Sequence, residues 1–149
     1  MLEEFIEVNN LSATIFECED SHTAAKAIEA TGDADAVAKS IVLLASNCEP
    51  VLVILLGKDK IDLQKVKAVL GVKDVRLCQE KEVFEMTGYE VGGVPPISIY
   101  GIKTIMDKAV AEKAEIVCGG GDSKHLMRIK VNEIIEAVDG IVFDDIAKK

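Results

Sequence analysis

The sequence predicts a single α/β (α+β) domain with a mixed β-sheet, and three observations lead to this prediction. The chain of 149 residues is long enough to bury a core without disulfides or metals, and no linker divides it, so residues 1–149 are expected to form one domain. Short apolar runs typical of strands alternate irregularly with amphipathic segments that end at glycine. One pair of these runs is joined by a tight turn, whereas a fully parallel sheet needs a helix at nearly every crossover.

The N-terminal half contains start and stop signals for helices and one hairpin. Asp20 and Ser21 can cap a helix that ends near Gly32, and Asp62 can cap another that ends at Gly71. Apolar runs on either side of the turn NCEP predict a buried hairpin. In order, we predict a helix over residues 1–11, a strand over 14–18, a helix over 20–30, strands over 39–46 and 51–57, and a helix over 63–70.

The C-terminal half is richer in short strands. Gly88 can end one helix, and Asn132 can cap the last one. We predict a strand over residues 74–78, a helix over 81–87, strands over 97–106, 115–118 and 125–131, a helix from 132 to about 138, and a closing strand over 141–143.

Composition excludes several classes of protein. The net charge of −9 argues against a general nucleic-acid binder, which is normally basic, although it leaves room for a local basic patch. Such a patch, or else a solvated helix face, is offered by Lys58, Lys60, Lys65, Lys67, Lys73 and Arg76. The apolar runs are far shorter than the ~18 residues of a membrane span. The acidic N-terminus lacks the basic region of a signal peptide, so we expect a cytoplasmic protein without membrane contact.

The four cysteines lie far apart and form no C-x-x-C pair, and the chain has only two histidines, His22 and His125. This inventory does not assemble a zinc site, so we expect no metal and reduced, structural thiols. His22 is expected to belong to a helix start.

Residues 89–101 read YEVGGVPPISIYG and place two glycines, which have the freest backbone, close to two prolines, which have the most restricted one. Glycine lets another group approach the backbone closely, and proline fixes φ. We therefore expect Gly92 and Gly93 to admit a substrate, and Pro95 and Pro96 to hold that backbone still.

Residues 118–125, CGGGDSKH, lack both the dinucleotide-binding fingerprint and the P-loop. Two interpretations stay open: a glycine-rich hairpin, or a turn whose bare N–H groups receive a ligand's oxygens. Cys118 is a poor candidate nucleophile, because no histidine is fixed beside it by the sequence.

Lys39 and His125 each begin an apolar strand. Lys39 is either a solvated residue or, at the edge of a cleft, a fixed cation beside a developing oxyanion. His125 is either structural or the best general base near pH 7 in this chain.

The segments HTAA, KSIVLL, GYEVGGVPP and IVCGGG, followed by histidine, occur in the order found in one family. From about residue 20 to residue 140 the chain resembles the YbaK/ProX superfamily of aminoacyl-tRNA deacylases. The resemblance implies one α/β domain around a curved mixed sheet, and hydrolysis of mischarged tRNA without metal or cofactor. It implies that Lys39 is the functional lysine, that Gly92 and Gly93 face the substrate carbonyl, and that Pro96 is the loop proline.

Together these interpretations give a set of candidate site residues. Those assigned to catalysis are Lys39, Gly92, Gly93 and His125. Those assigned to substrate binding are Tyr89, Pro95, Pro96, Cys118, Gly119, Gly120 and Gly121. The implied partner is the acceptor 3′ end of a mischarged tRNA, with a synthetase or a tRNA carrier protein as a further candidate and the oligomeric state left open.

The chain departs from many relatives at a few positions. Pro95 replaces a non-proline residue, and Ile97 and Ser98 stand where an aromatic residue and a glycine are common. Cys118 stands at a serine position of the cysteinyl-tRNA(Pro) deacylase branch, and His125 at an aspartate position of that branch. The alanine-editing branch resembles this chain in having histidine there, which shifts the expected substrate towards Ala-tRNA(Pro), with Cys-tRNA(Pro) as the other candidate. A non-catalytic module that binds aminoacyl-tRNA or a small ligand is the alternative.

Overall fold

The computed structural model describes residues 2–18, 28 and 35–148, and it confirms a mixed α/β fold. The helices among these residues are α1 (Leu2–Val8), α2 (Leu63–Leu70), α3 (Glu80–Thr87), α4 (Lys108–Ala111) and α5 (Val131–Ala137). The strands are β1 (Thr14–Glu17), β2 (Ala38–Ala45), β3 (Pro50–Leu56), β4 (Val75–Leu77), β5 (Lys103–Asp107), β6 (Glu115–Gly119), β7 (His125–Lys130) and β8 (Val142–Asp144). None of the helices in this described part is long and apolar enough to span a membrane.

The strands form two sheets that meet at one point. A five-stranded mixed sheet has the order β4-β2-β3-β5-β8, and a three-stranded antiparallel sheet has the order β1-β7-β6. An isolated parallel bridge between Val37 and Val117 joins them. The strand direction therefore continues from one sheet to the other across this bridge, and the sheets diverge beyond it.

The core explains why β3 is apolar throughout. Leu52, Ile54 and Leu56 belong to the main core cluster between the two sheets, which also contains Cys118 and Met127 from the small sheet. The alternate residues of β3 belong to a second cluster on the opposite face, together with Val66 of α2. A strand buried on both faces reads as a continuous hydrophobic run rather than an alternating one.

Several predicted elements are confirmed in detail. β2 and β3 form the predicted antiparallel hairpin, and α2 spans the predicted residues. The Asp62 side chain accepts hydrogen bonds from two N–H groups at the start of α2, and Gly71 ends it with φ of 68°. Gly88 ends α3 in the same left-handed conformation, with φ of 79°.

Three predictions about the elements were wrong. The strand predicted over residues 97–106 begins only at Lys103, because Ser98 and Gly101 take positive φ values of 66° and 74° that interrupt an extended chain. The last helix begins at Val131, so Asn132 is not its cap. The short helix α4 was not foreseen, although Asp107 caps it by accepting the Ala109 N–H.

The helix predicted over residues 20–30, which includes His22, lies outside the described residues except for Ile28, which is helical.

Candidate active site

The candidate site lies where the two sheets separate. β2 pairs with β3 along one edge, whereas its other edge pairs with β4 from Leu43 to Ala45 and meets β6 only at Val37. Between these points the backbone pairing recorded for that edge among the described residues is the Cys78 N–H, which donates to the Val42 carbonyl at 3.1 Å. Because Val37 is level with Val117 in a parallel bridge, Lys39 lies at the level of Gly119 along the strand direction. The start of β2 and the tip of the β6–β7 hairpin therefore lie at the same level, and we refer to the region between them as the cleft.

The loop of residues 92–96 packs backbone against backbone on that hairpin tip. The Gly121 N–H donates to the Gly93 carbonyl at 2.8 Å. A Cβ atom on Gly93 would lie 2.5 Å from the Cα of Asp122, and one on Gly119 would lie 2.4 Å from the Val94 carbonyl oxygen. Glycine is therefore required at positions 93 and 119 by this packing, independently of any substrate.

The two adjacent glycines of the loop differ in what their N–H groups do. The Gly93 N–H donates to the Glu90 carbonyl at 2.9 Å, and Gly92 has φ of 87°, which together define a tight turn. The Gly93 N–H is therefore already used within the protein, and the prediction that both glycines face a substrate carbonyl stays a prediction. Among the described residues no acceptor meets the N–H of Gly92.

Tyr89 and the two prolines support the loop from inside. Tyr89 is 4% exposed, its hydroxyl donates to Ser98 Oγ at 3.0 Å, and burial raises its pKa. Pro95 and Pro96 are buried as well. The prediction that Tyr89 binds substrate is therefore not supported, because its ring and hydroxyl are engaged in the core.

Cys118 also belongs to the core. Its side chain is 2% exposed, its thiol donates to the Met127 carbonyl at 3.5 Å, and burial raises its pKa strongly. The Cys118 side chain points inwards between the sheets together with that of Ile116, and its contact with a substrate stays a prediction. The backbone of residues 118–125 forms the glycine-rich hairpin that was one of the two interpretations: β6 ends at Gly119 and β7 begins at His125.

His125 has a carboxylate partner that sequence reasoning missed. Its Nδ1 lies 2.7 Å from Asp122 Oδ1, and this hydrogen bond raises the pKa of His125, as do Glu17 and Glu3 more weakly. Asp122 Oδ1 also accepts the Lys124 N–H at 2.8 Å. An aspartate that precedes a turn and bonds the N–H two residues later is an Asx-turn, a pattern visible in the letters DSKH.

Lys39 is half-buried and held by main-chain carbonyls. Its ammonium donates to the Asp59 carbonyl and, at 3.4 Å, to that of Gly57. Burial lowers the pKa of Lys39, while the nearby Asp59 carboxylate acts in the opposite direction. In the described part of the chain it makes no hydrogen bond to the loop of residues 92–96, so its place beside an oxyanion stays a prediction.

Ser40 is a second residue that the sequence did not single out. Its neighbours Ala38 and Val42 belong to the main core cluster, so the Ser40 side chain faces that cluster too. Its Oγ is buried and has no hydrogen-bond partner among the described residues. An unsatisfied hydroxyl is costly to bury, which makes it a candidate contact for a polar group that enters the cleft.

Three of the six residues of the predicted basic patch form ion pairs within the protein. Lys58 lies 2.6 Å from Asp35, and Lys65 lies 3.2 Å from Asp145. Arg76 forms two hydrogen bonds of 2.8 Å with Glu82. These pairs leave a smaller positive charge on this surface than the sequence indicated.

The described residues thus form an α/β fold in which a glycine-containing loop packs on the tip of a glycine-rich hairpin. Comparison with known proteins gives the family. The model of the aminoacyl-tRNA editing domain matches residues 18–137, and the chain belongs to this family.

The relatives connect this family to proline-specific aminoacylation. The chain is 38% identical over 93 residues to a proline–tRNA ligase of Halalkalibacterium halodurans, covering 62% of this chain and 16% of the ligase. It is 30% identical over 103 residues to the ligase of Streptococcus equi subsp. zooepidemicus, covering 68% of this chain and 16% of that protein. The chain thus spans less than a fifth of the curated relatives it matches.

Solved structures match over almost the entire chain. A crystal structure of a hypothetical protein has a TM-score of 0.90 and 27% identity, with 99% of both chains covered. A crystal structure of a candidate trans-editing enzyme for prolyl-tRNA synthetase has a TM-score of 0.86 and 25% identity, covering 99% of this chain and 95% of that one. The chain is therefore an editing domain similar both to a segment of proline–tRNA ligases and to a free-standing protein.

Proposed function

We propose that this protein is a trans-editing hydrolase that deacylates mischarged aminoacyl-tRNA, with Ala-tRNA(Pro) or Cys-tRNA(Pro) as its substrate. The observations that carry the proposal are the packing of the loop of residues 92–96 on the tip of the β6–β7 hairpin, which leaves the Gly92 N–H without an acceptor among the described residues, and the half-buried Lys39 ammonium at the start of β2. The family and the proline–tRNA ligase relatives support the class of substrate.

The reaction requires modest catalysis, because an aminoacyl ester is already activated. A water molecule, either directly or with the adjacent ribose hydroxyl relaying its proton, attacks the ester carbonyl, and the carbonyl oxygen becomes negative. The Gly92 N–H is the backbone donor for that oxygen, and the Lys39 ammonium supplies positive charge. The bond to the ribose oxygen then breaks, this oxygen takes a proton, and the amino acid leaves as a carboxylate. His125 orients the substrate or accepts the proton from the attacking group.

A separate editing pocket is needed because the aminoacylation pocket of a synthetase cannot fully exclude amino acids smaller than its own. A synthetase pocket separates side chains that differ by one methylene by only about 1–3 kcal/mol. Since Pro95 and Pro96 are buried and fix the loop, the pocket resists expansion around a larger ring. Overfilling a rigid site costs about 1–3 kcal/mol, so we expect alanyl and cysteinyl esters to be accepted and the prolyl ester to be excluded.

The test is deacylation of Ala-, Cys-, Ser- and Pro-tRNA(Pro) by the purified protein. Lys39→Ala is expected to slow hydrolysis of the accepted ester by about 10²–10³, the usual effect of removing one charge-stabilising group. Lys81→Ala, at an exposed lysine of α3 outside the candidate basic patch, is the matched control and should hydrolyse at the rate of the unmodified protein.

Two results would contradict the proposal. Rapid hydrolysis of Pro-tRNA(Pro) would describe an enzyme that destroys the correct product. Tight binding of Ala- and Cys-tRNA(Pro) without any turnover would describe a binding module instead.

A further inference from the structure

The β6–β7 hairpin contains a carboxylate–imidazole pair that is built into the turn itself. One oxygen of Asp122 accepts the Lys124 N–H at 2.8 Å and lies 2.7 Å from His125 Nδ1. The His125 N–H also approaches the Asp122 carbonyl, at 3.4 Å. The same aspartate therefore closes the turn and holds the ring.

The backbone of Asp122 is fixed in turn by the glycine loop. Its N and Cα atoms each lie 2.5 Å from the position that a Cβ atom on Gly93 would take. The neighbouring Gly121 N–H donates to the Gly93 carbonyl at 2.8 Å. The carboxylate thus has a defined position relative to the loop that carries the Gly92 N–H.

We propose that Asp122 is a positioning residue that orients the His125 ring, so that Nε2 is the ring nitrogen that meets the aminoacyl ester. This inference rests on the proposed hydrolase function. Neutral imidazole carries a proton on one nitrogen only, and a carboxylate beside Nδ1 selects the form in which Nδ1–H is the donor. Nε2 is then the acceptor in the neutral ring and a donor in the charged ring.

The charges around the ring favour its protonated form. Among the described residues, the charged groups near His125 besides Asp122 include Glu17, its partner across β1 and β7, and Glu3 of α1; Lys124 precedes it in the turn and is exposed. The carboxylates raise the pKa of His125. Below its pKa the ring donates a hydrogen bond from Nε2, and above its pKa Nε2 accepts one; in both states the carboxylate at Nδ1 keeps Nε2 as the nitrogen that meets the substrate.

The test is Asp122→Asn, which keeps an oxygen for the Lys124 N–H and nearly the same shape while removing the charge. In the protein without substrate, nitrogen NMR of the His125 ring is expected to show a lower pKa and a mixture of the two neutral forms. In deacylation, kcat is expected to fall about 10-fold or more, the scale of one hydrogen bond to a charged group, with KM little changed. The pH profile should shift towards acid in parallel with the measured pKa.

Two comparisons make the result specific. Glu115→Gln removes another exposed carboxylate of the same hairpin, one that pairs with Arg128 at 3.3 Å, and should change neither the ring nor kcat. Combined with His125→Asn, the Asp122→Asn change should add almost no further loss, because the two residues act as one unit.

The outcomes separate this inference from the proposed function. Active enzyme with an unchanged pKa and ring form in Asp122→Asn, or with additive losses in the double variant, would overturn the positioning role. Unmodified protein that hydrolyses none of the four esters would overturn the proposed function and with it the catalytic part of this inference. The NMR measurement would still decide whether Asp122 selects the ring form.

Discussion

Replacing Gly93 or Gly119 by alanine should destabilise the protein, even in the absence of substrate. The added Cβ atoms would lie 2.5 Å from Asp122 Cα and 2.4 Å from the Val94 carbonyl oxygen, where about 3.4 Å or more is ordinary contact. Both obstacles are backbone atoms, so no rotamer change can relieve the clash. Inserting atoms into packed structure costs about 1–3 kcal/mol, and backbone neighbours favour the upper part of that range.

A conformational control separates this clash from the general cost of losing a glycine. Gly71 has φ of 68° and nothing within 4 Å of its would-be Cβ, so a substitution there is limited by φ alone. Asparagine tolerates the left-handed region better than other non-glycine residues. Gly71→Asn is therefore expected to cost less than about 1 kcal/mol, and less than either alanine variant.

Urea denaturation and thermal unfolding, both followed by circular dichroism, measure these differences. For a domain of this size about 1 kcal/mol corresponds to a shift of roughly 2–4 °C in Tm, so the alanine variants should melt about 4–12 °C lower. A Gly93→Ala or Gly119→Ala protein with the Tm of the unmodified chain would refute the packing argument. The glycine at position 93 would then be explained by the close approach of a substrate and not by packing.

Three further predictions concern single side chains. Ser40→Ala should leave the free energy of unfolding unchanged or higher, since it removes an unsatisfied buried hydroxyl, yet lower kcat/KM for deacylation; a destabilised variant would contradict this. A thiol reagent should modify the exposed Cys48 in native protein and spare Cys118 until unfolding, as mass spectrometry of the modified peptides can check. The Arg76 guanidinium lowers the pKa of Glu82 to about 2, so its stabilising contribution is present above the unfolded value of about 4.3 and is lost as pH falls towards 2. Acid titration of Glu82→Gln should lack that part of the pH dependence, and an unchanged profile would reject the assignment.

Much of the fold could be predicted because the signals are local. The Asp62 cap and the left-handed Gly71 both act within one turn of α2, so the sequence contains the complete cause of that helix. The strand predicted over residues 97–106 failed for a non-local reason. Ile97 is buried at 1% exposure and Ser98 bonds to the Tyr89 hydroxyl, so tertiary contacts hold this segment in a loop that alternation alone cannot reveal.

The sequence indicated which segments form the candidate site better than it indicated the role of each residue there. The glycine motifs identified both segments that border the cleft, but sequence reasoning assigned Gly93 and Cys118 to substrate contact. The structure adds a packing role for both of them, which the sequence could not show because the loop and the hairpin lie far apart along the chain and meet only after folding. Asp122 was missed for a related reason, since its value lies in a hydrogen bond to a ring three residues away.

The packing of the loop on the hairpin explains why glycines and prolines occur together in GGVPP. Side chains would lose rotamer freedom on binding a substrate, whereas main-chain groups held by main-chain contacts lose almost none. Gly93 and Gly119 allow those contacts, and the buried Pro95 and Pro96 restrict the loop that makes them. The geometry proposed for hydrolysis and the stability of the domain therefore depend on the same backbone contacts. A substitution that loosens them should reduce both together, which distinguishes these glycines from Lys39 and Ser40, whose loss should affect hydrolysis far more than stability.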